Sequence, residues 1–206
     1  KDSNIHLILQ KSHLEKENYN FRTNIADNIN ILPIDYITAG TACTVLNAKS
    51  FLDNDNPLLI ANSDQIIDFD CNLFIKDALE RDLDGSILIF KDKTKNPKWS
   101  FAKINDCSLV EEVAEKKPIS DLATVGIYFF RKGKDFINSA LDMINHDDRV
   151  NNEFYTCPIY NYLIREGKKV GVFEIKFSEM HGVGTPNDLE DYLLAKKFKP
   201  SKHAPS

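Results

Sequence analysis

The chain has 206 residues, 42% of them hydrophobic and 28% charged, with only eight glycines and eight prolines. Those proportions exclude fibrous and low-complexity chains, and a domain of this length buries about 70% of its unfolded surface without needing a disulfide or metal staple. A net charge of −5 argues against a broad nucleic-acid-binding face, and neither an apolar run of ~18 residues nor a signal-peptide pattern occurs, so no membrane insertion is expected. In chain order, Ile5 to Leu9 and Ile29 to Ile34 read as strands. Thr41 to Ser50, opened by Gly40, reads as a helix with Ala42, Val45, Leu46 and Ala48 apolar. Pro57 to Ala61 is a continuous apolar run of the kind found in strands buried on both faces, and it stops at Asn62-Ser63-Asp64-Gln65. A helix over Cys71 to Arg81 and a buried strand over Gly85 to Phe90 follow. This alternation predicts an α/β fold whose central sheet is mostly parallel and covered on both faces.

The middle of the chain changes character. Trp99 to Ile104, Leu109 to Val113 and Thr124 to Phe130 read as strands of a small antiparallel extension. Helices are expected over Asp135 to Asn145 and Glu153 to Glu166, the second closed by Gly167, then a strand over Lys169 to Phe173. The last helix runs from Pro186 to Phe198, with Thr185 as N-cap and Asp188 and Glu190 in its positive first turn. Residues 1–198 are expected to form one domain and 199–206 a disordered tail. The cysteines (Cys43, Cys71, Cys107, Cys157) form no CxxC pair. Reduced thiols in a cytoplasmic protein are the expectation.

Four constellations could carry chemistry. Thr38-Ala39-Gly40-Thr41-Ala42 sits at a strand-to-helix junction, where a glycine admits a ligand to the backbone, or where it simply makes a turn. Asn62-Ser63-Asp64 follows the most apolar strand, the end at which ligands bind in open α/β sheets; Asp64 suits Mg²⁺, or else an Asx-turn. Glu115-Lys116-Lys117-Pro118 offers a lysine to a phosphate, or is a charged surface loop. His181-Gly182-Val183-Gly184-Thr185-Pro186 is a tight turn into a helix, able to close against a site or only to start the helix. Asp68-Phe69-Asp70 is a DxD, a pattern that holds divalent metal in glycosyltransferases and also occurs in solvated turns.

The order of these features is more telling than any one of them. A Gly-Thr-Ala helix start, an apolar strand ending in Asn-Ser-Asp, a Glu-Lys-Lys-Pro loop, a Val-Gly-Ile-Tyr strand, an Asn-Glu-Phe-Tyr segment and a Gly-Thr-Pro helix start succeed one another. The series resembles the sugar-phosphate nucleotidyltransferases, the pyrophosphorylases that include glucose-1-phosphate thymidylyltransferases, over about Ile5 to Leu194. The likeness implies a Rossmann-like three-layer fold and Mg²⁺-dependent transfer of a nucleotidyl group from an NTP to a sugar phosphate, for surface-polysaccharide precursors. It implies nucleotide contacts from Thr38, Gly40, Thr41, Ala42 and Ser63, metal binding by Asp64, and sugar-phosphate contacts from Glu115, Lys116, Gly126 and Glu153. Asp64 and Lys116 would be the catalytic pair.

Two departures accompany the likeness. The family's second metal-binding Asp falls on Gly182 here, leaving Glu179 or His181 as candidate substitutes. The family's first strand and Gly-rich phosphate loop have no counterpart in these residues, so weak NTP binding is expected, and pairing into a homo-oligomer would cover the open sheet edge. The other readings are a nucleotide-sugar-dependent glycosyltransferase using Asp68 and Asp70, or a noncatalytic nucleotide- or sugar-binding subunit.

Overall fold

The computed structural model describes residues 3–16 and 28–197. Phe198 and the expected tail lie outside the described residues. Ten strands and seven helices follow one another among them. They are β1 (Ile5–Gln10), α1 (Lys11–Lys16), β2 (Ile29–Ile34), α2 (Thr41–Leu46), α3 (Lys49–Leu52), β3 (Leu58–Ala61), β4 (Gln65–Ile67), α4 (Cys71–Glu80) and β5 (Gly85–Lys91). After them come β6 (Ser100–Ile104), β7 (Val110–Glu115), β8 (Leu122–Phe130), α5 (Gly133–Asn145), α6 (Ile159–Arg165), β9 (Val170–Glu174), β10 (Met180–Gly182) and α7 (Pro186–Lys197).

β5 and β8 form the centre, and their side chains alternate between two apolar layers. Ile87 and Ile89 of β5, with Tyr128 and Phe130 of β8, face a core shared with α5 and α6. Leu88, Phe90, Val125, Ile127 and Phe129 face the other, shared with α4. Strands clothed on both faces carry apolar residues at most positions, which is why these two segments, apart from Ser86 and Thr124, read as nearly continuous hydrophobic runs. The three-layer α/β architecture is as expected.

The predominance of parallel strands is not. In the six-stranded sheet only β5 and β9 pair in parallel; β3–β8, β5–β8, β6–β7 and β6–β8 are all antiparallel. The cause is β8, which was expected to belong to a peripheral extension and instead runs antiparallel through the middle of the sheet. β1 and β2 form a separate parallel pair.

Other boundaries moved for local reasons. The helix expected over Thr41 to Ser50 breaks after Leu46, where the Asn47 side-chain amide donates to the Cys43 and Thr44 carbonyls and ends the first segment. The helix expected from Glu153 begins only at Ile159, because residues 153–156 bond elsewhere, as described below. The run in β3 is buried on one side only: Ile60 is enclosed, but Leu59 is 37% exposed. The short strands β4 and β10, which pair antiparallel, carry too few residues for a periodicity to be read. The last helix starts as expected: the Asp188 amide donates to Thr185 Oγ1 and the Thr185 amide to the Asp188 carboxylate, a reciprocal cap.

Tyr160 ties α6 to the two central strands. Fully buried and stacked on Phe130, it shares its hydroxyl proton between the carbonyls of Ser86 (3.0 Å) and Phe129 (2.8 Å), which face each other across β5 and β8. Tyr160→Phe should therefore lower unfolding stability by about 1–2 kcal/mol, with a shift in denaturant midpoint and an unchanged circular-dichroism spectrum as the measurement.

Candidate active site

β3 and β6 lie on the same edge of β8. β5 pairs with β8 along the other edge, opposite both the segment that β3 covers (127–130) and the residue that β6 meets, Ala123. Between the end of β3 and the start of β6, residues 124–126 of β8 are left without a strand partner on that edge. The β5–β8 register also slips here, so that one residue between Ile87 and Ile89 faces three between Thr124 and Tyr128. Such bulges re-aim the chain beside active sites. The crevice is thus a split in the sheet.

Gly126 occupies the middle of the split, with φ of +89°. A Cβ there would come within 2.6 Å of the Asn62 and Gln65 side-chain amides, and the Thr124 and Tyr128 hydroxyls meet across the position at 3.3 Å. Only glycine fits.

One lip of the split is the carboxyl end of β3. The Asn62 amide donates to the Gly126 carbonyl, and Ser63 and Asp64 follow, both exposed. The Val183 amide donates to the Asp64 carbonyl, and Gly184 lies against the Asp64 carboxylate. The β4–β10 ribbon therefore folds the Gly-Val-Gly turn over Asp64. The two candidate substitutes for a second metal ligand are engaged elsewhere. Glu179 accepts from the Lys176 amide, and His181 Nε2 lies 3.0 Å from the Asp68 carboxylate. No group of three or more His, Cys, Asp or Glu suited to a metal occurs among the described residues. Magnesium needs only one or two protein carboxylates beside phosphate oxygens and waters, so the solvent-facing Asp64 fits it alone. The DxD is also committed to structure: Asp70 caps α4 through the Asn72 amide while Asp68 meets His181.

The other lip is the carboxyl end of β7. Glu115 lies opposite Ser100, the first residue of β6, whose hydroxyl donates to its carboxylate. Burial pushes the Glu115 carboxyl above its ordinary range; the Ser100 hydrogen bond and Lys116 oppose the shift, and Glu153 adds to it. Lys116 follows in a left-handed conformation (φ +54°), with its amide bonded to the Trp99 carbonyl, and this turns its side chain toward Tyr155. Its ammonium donates to the Tyr155 hydroxyl at 2.6 Å and lies 4.7 Å from the centre of that ring. Glu153 adds its negative field to Tyr155, Glu115 and Lys116 alike. The three expected sugar-phosphate side chains thus meet in space, together with Gly126 at the level of the split. Sequence reasoning missed Tyr155 and Ser100. It also missed Asn161, whose amide brackets the Val113 backbone with two bonds of 2.9 Å and pins β7 in place.

The Gly-Thr-Ala turn backs this lip. Gly40 (φ +116°) presses on the Phe154 backbone so closely that a Cβ would lie 2.4 Å from its carbonyl oxygen. The Phe154 amide donates to the Ala39 carbonyl, the Ala42 amide to the Phe154 carbonyl, and the Thr156 amide and hydroxyl to Thr41 Oγ1. Ala42 is fully buried and its amide is already used, so the expected nucleotide contact from its helix-start amide is not available in this arrangement. The Thr38 hydroxyl is also engaged, with Thr44 Oγ1 at 2.6 Å. Gly40 and Thr41 retain accessible surface.

Residues 3–197 match the nucleotidyl transferase family profile. The chain belongs to that family. Its fold resembles the nucleoside-diphosphate-sugar pyrophosphorylase of Vibrio cholerae RC9, with a TM-score of 0.74 and 24% identity over 92% of this chain and 80% of that one. It also resembles a Bacillus anthracis structure assigned as glucose-1-phosphate thymidylyltransferase and holding sucrose, with a TM-score of 0.69 and 17% identity over 96% and 78% of the two chains. The glucose-1-phosphate adenylyltransferase of Fusobacterium nucleatum is 28% identical over 142 residues, covering 66% of this chain. The matched part spans 36% of that relative's length.

The raised Glu115 carboxyl has a thermodynamic signature in this nucleotidyl transferase family member. Because folding raises its pKa, the protonated form is favoured in the folded state. Stability from this group is full below the ordinary value of 4.5 and is lost as pH climbs through the raised value. Glu115→Gln removes that loss. Its melting temperature at pH 7 should exceed that of wild type, and the gap should close below about pH 4.5, as read by thermal melts across pH.

Proposed function

We propose that this chain transfers a nucleotidyl group from an NTP to a sugar phosphate, with pyrophosphate as the other product, in making nucleotide sugars for surface polysaccharides. A phosphate oxygen of the sugar phosphate forms a bond to the α-phosphorus, and the bond from that phosphorus to the bridging oxygen of pyrophosphate breaks. The observation that carries the reading is the arrangement of the split: a solvent-facing carboxylate on one lip, and a lysine ringed by carboxylates and a phenol on the other. Family membership supports nucleotidyl transfer, and the names of the three relatives support a sugar-phosphate acceptor.

The protein's part in such a reaction is positioning and charge complementarity more than covalent chemistry. Asp64 is the residue to hold Mg²⁺, which when bound neutralises phosphate oxygens and so eases attack on the α-phosphorus. Lys116 offers its ammonium to the acceptor's phosphate. Glu115 and Glu153 accept hydroxyls of the sugar ring, which Gly126 flanks. Gly40, Thr41 and Ser63 line the nucleotide side; Thr38 and Ala42 hold the turn in shape behind them. Asp68 and Asp70, tied to His181 and to the α4 cap, give no support to a glycosyltransferase reading.

Pyrophosphate release from NTP, hexose 1-phosphate and Mg²⁺ tests the reading directly. Asp64→Asn should nearly abolish release while leaving the thermal melt unchanged, and near-normal activity in that variant would defeat the assignment. Lys116→Ala should raise the KM for the sugar phosphate about tenfold to a hundredfold, with little change for NTP. Lys117→Ala should do little.

A further inference from the structure

Resting on that reading, we propose that Tyr155 is a positioning residue: its phenol holds the Lys116 ammonium in place to receive the phosphate of the sugar phosphate.

Lysine has four rotatable side-chain bonds, and an exposed lysine at a loop start sweeps a wide volume. Lys116 does not, for three reasons. Its left-handed backbone, fixed by the Trp99 carbonyl, aims the stem. The Tyr155 hydroxyl accepts from Nζ at 2.6 Å, and the ring lies under the ammonium at 4.7 Å, so one side chain offers both a hydrogen bond and a π-face. Glu153 adds its negative field at both the phenol and the ammonium, an attraction that favours keeping the charge at this place.

Tyr155 can act as a fixed post because its backbone is anchored on both sides. Phe154 is bonded through amide and carbonyl to Ala39 and Ala42, and Thr156 is bonded twice to Thr41. Arg149 lies over the Phe154 ring, at 4.1 Å from its centre. The segment that carries Tyr155 is therefore fastened to the Gly-Thr-Ala turn, which backs the same lip as the end of β7 that Lys116 follows. The Lys116–Tyr155 bond joins the two. Two donor positions on Nζ remain for an incoming phosphate. The hydrogen bond to Tyr155 also holds the ammonium protonated above the ordinary lysine range, so it stays a cation throughout neutral pH.

Tyr155→Phe keeps the ring and removes the hydrogen bond. Two measurements test the proposal. The first is acetylation of Lys116 by acetic anhydride near pH 9, read by mass spectrometry with Lys117 as internal standard. Loss of the phenol should raise the Lys116-to-Lys117 labelling ratio about two- to fivefold, and this needs no substrate. The second is calorimetric titration with glucose 1-phosphate and a panel of other hexose 1-phosphates. The Kd should weaken about five- to tenfold, and Tyr155→Phe should add nothing in a Lys116→Ala background. An unchanged labelling ratio, or weakening that adds in full to that of Lys116→Ala, overturns the positioning role. If the labelling ratio rises but wild-type protein binds no hexose 1-phosphate, the tether stands and the sugar-phosphate reading, with the role built on it, falls. Unchanged far-ultraviolet circular dichroism shows that the variant is folded.

Discussion

The split edge of β8 is the constraint from which the site follows. A strand has two edges, and β5 occupies one of them from Leu122 to Phe130, so β3 and β6 must share the other. Two strands placed end to end on one edge cannot both pair with residues 124–126. The unpaired interval, itself buried, is flanked by the ends of the strands that form the site. The end of β3 delivers Asp64 to it, and the β6–β7 hairpin delivers Glu115 and Lys116. The bulge opposite Leu88 and the positive φ of Gly126 are the local backbone adjustments that let β8 pass through this region and keep its pairing with β5.

The parts of the fold that depend on local composition were legible in the sequence. β5 and β8 read as buried strands because both their faces are covered. α5 reads as a helix from its apolar spacing and α7 from the residues at its start. The Thr185–Asp188 cap could be named from residue types alone. What could not be read was strand direction. A run such as Thr124 to Phe130 looks the same whether it runs parallel or antiparallel to its neighbours, and pairing is decided by contacts far away in sequence. The start of α6 was misjudged for a related reason. Residues 153–156 give up helical hydrogen bonds to bond with a turn more than a hundred positions earlier, a competition invisible to periodicity.

The candidate site follows the same division. Asp64, Glu115 and Lys116 stood out as charged groups following strands and Glu153 only through the family likeness, and the fold brings the last three together. Tyr155 and Ser100 did not stand out, because a tyrosine and a serine in such segments are unremarkable until their partners are known. Ala42 is the reverse case. Its motif suggested a free helix-start amide, whereas packing against Phe154 consumes that amide and seals the residue from solvent. The Gly-Thr-Ala signature therefore records, in this chain, a close backbone crossing as much as a ligand contact.

The four thiols, all free, differ widely in chemical availability because of where the layers put them. Cys157 lies beneath Tyr128 and Glu115, where burial pushes its acidity far below that of an ordinary thiol, so it stays protonated and shielded from oxidants and alkylating reagents. Burial shifts Cys43 and Cys71 in the same direction. Cys107, by contrast, is exposed in the turn between β6 and β7, its amide held by Asn105. A thiol-directed fluorophore would thus attach first at Cys107, in the turn at the far end of the hairpin from Glu115 and Lys116. The molecule carries its own reporter for movement of that hairpin, with no cysteine added or removed.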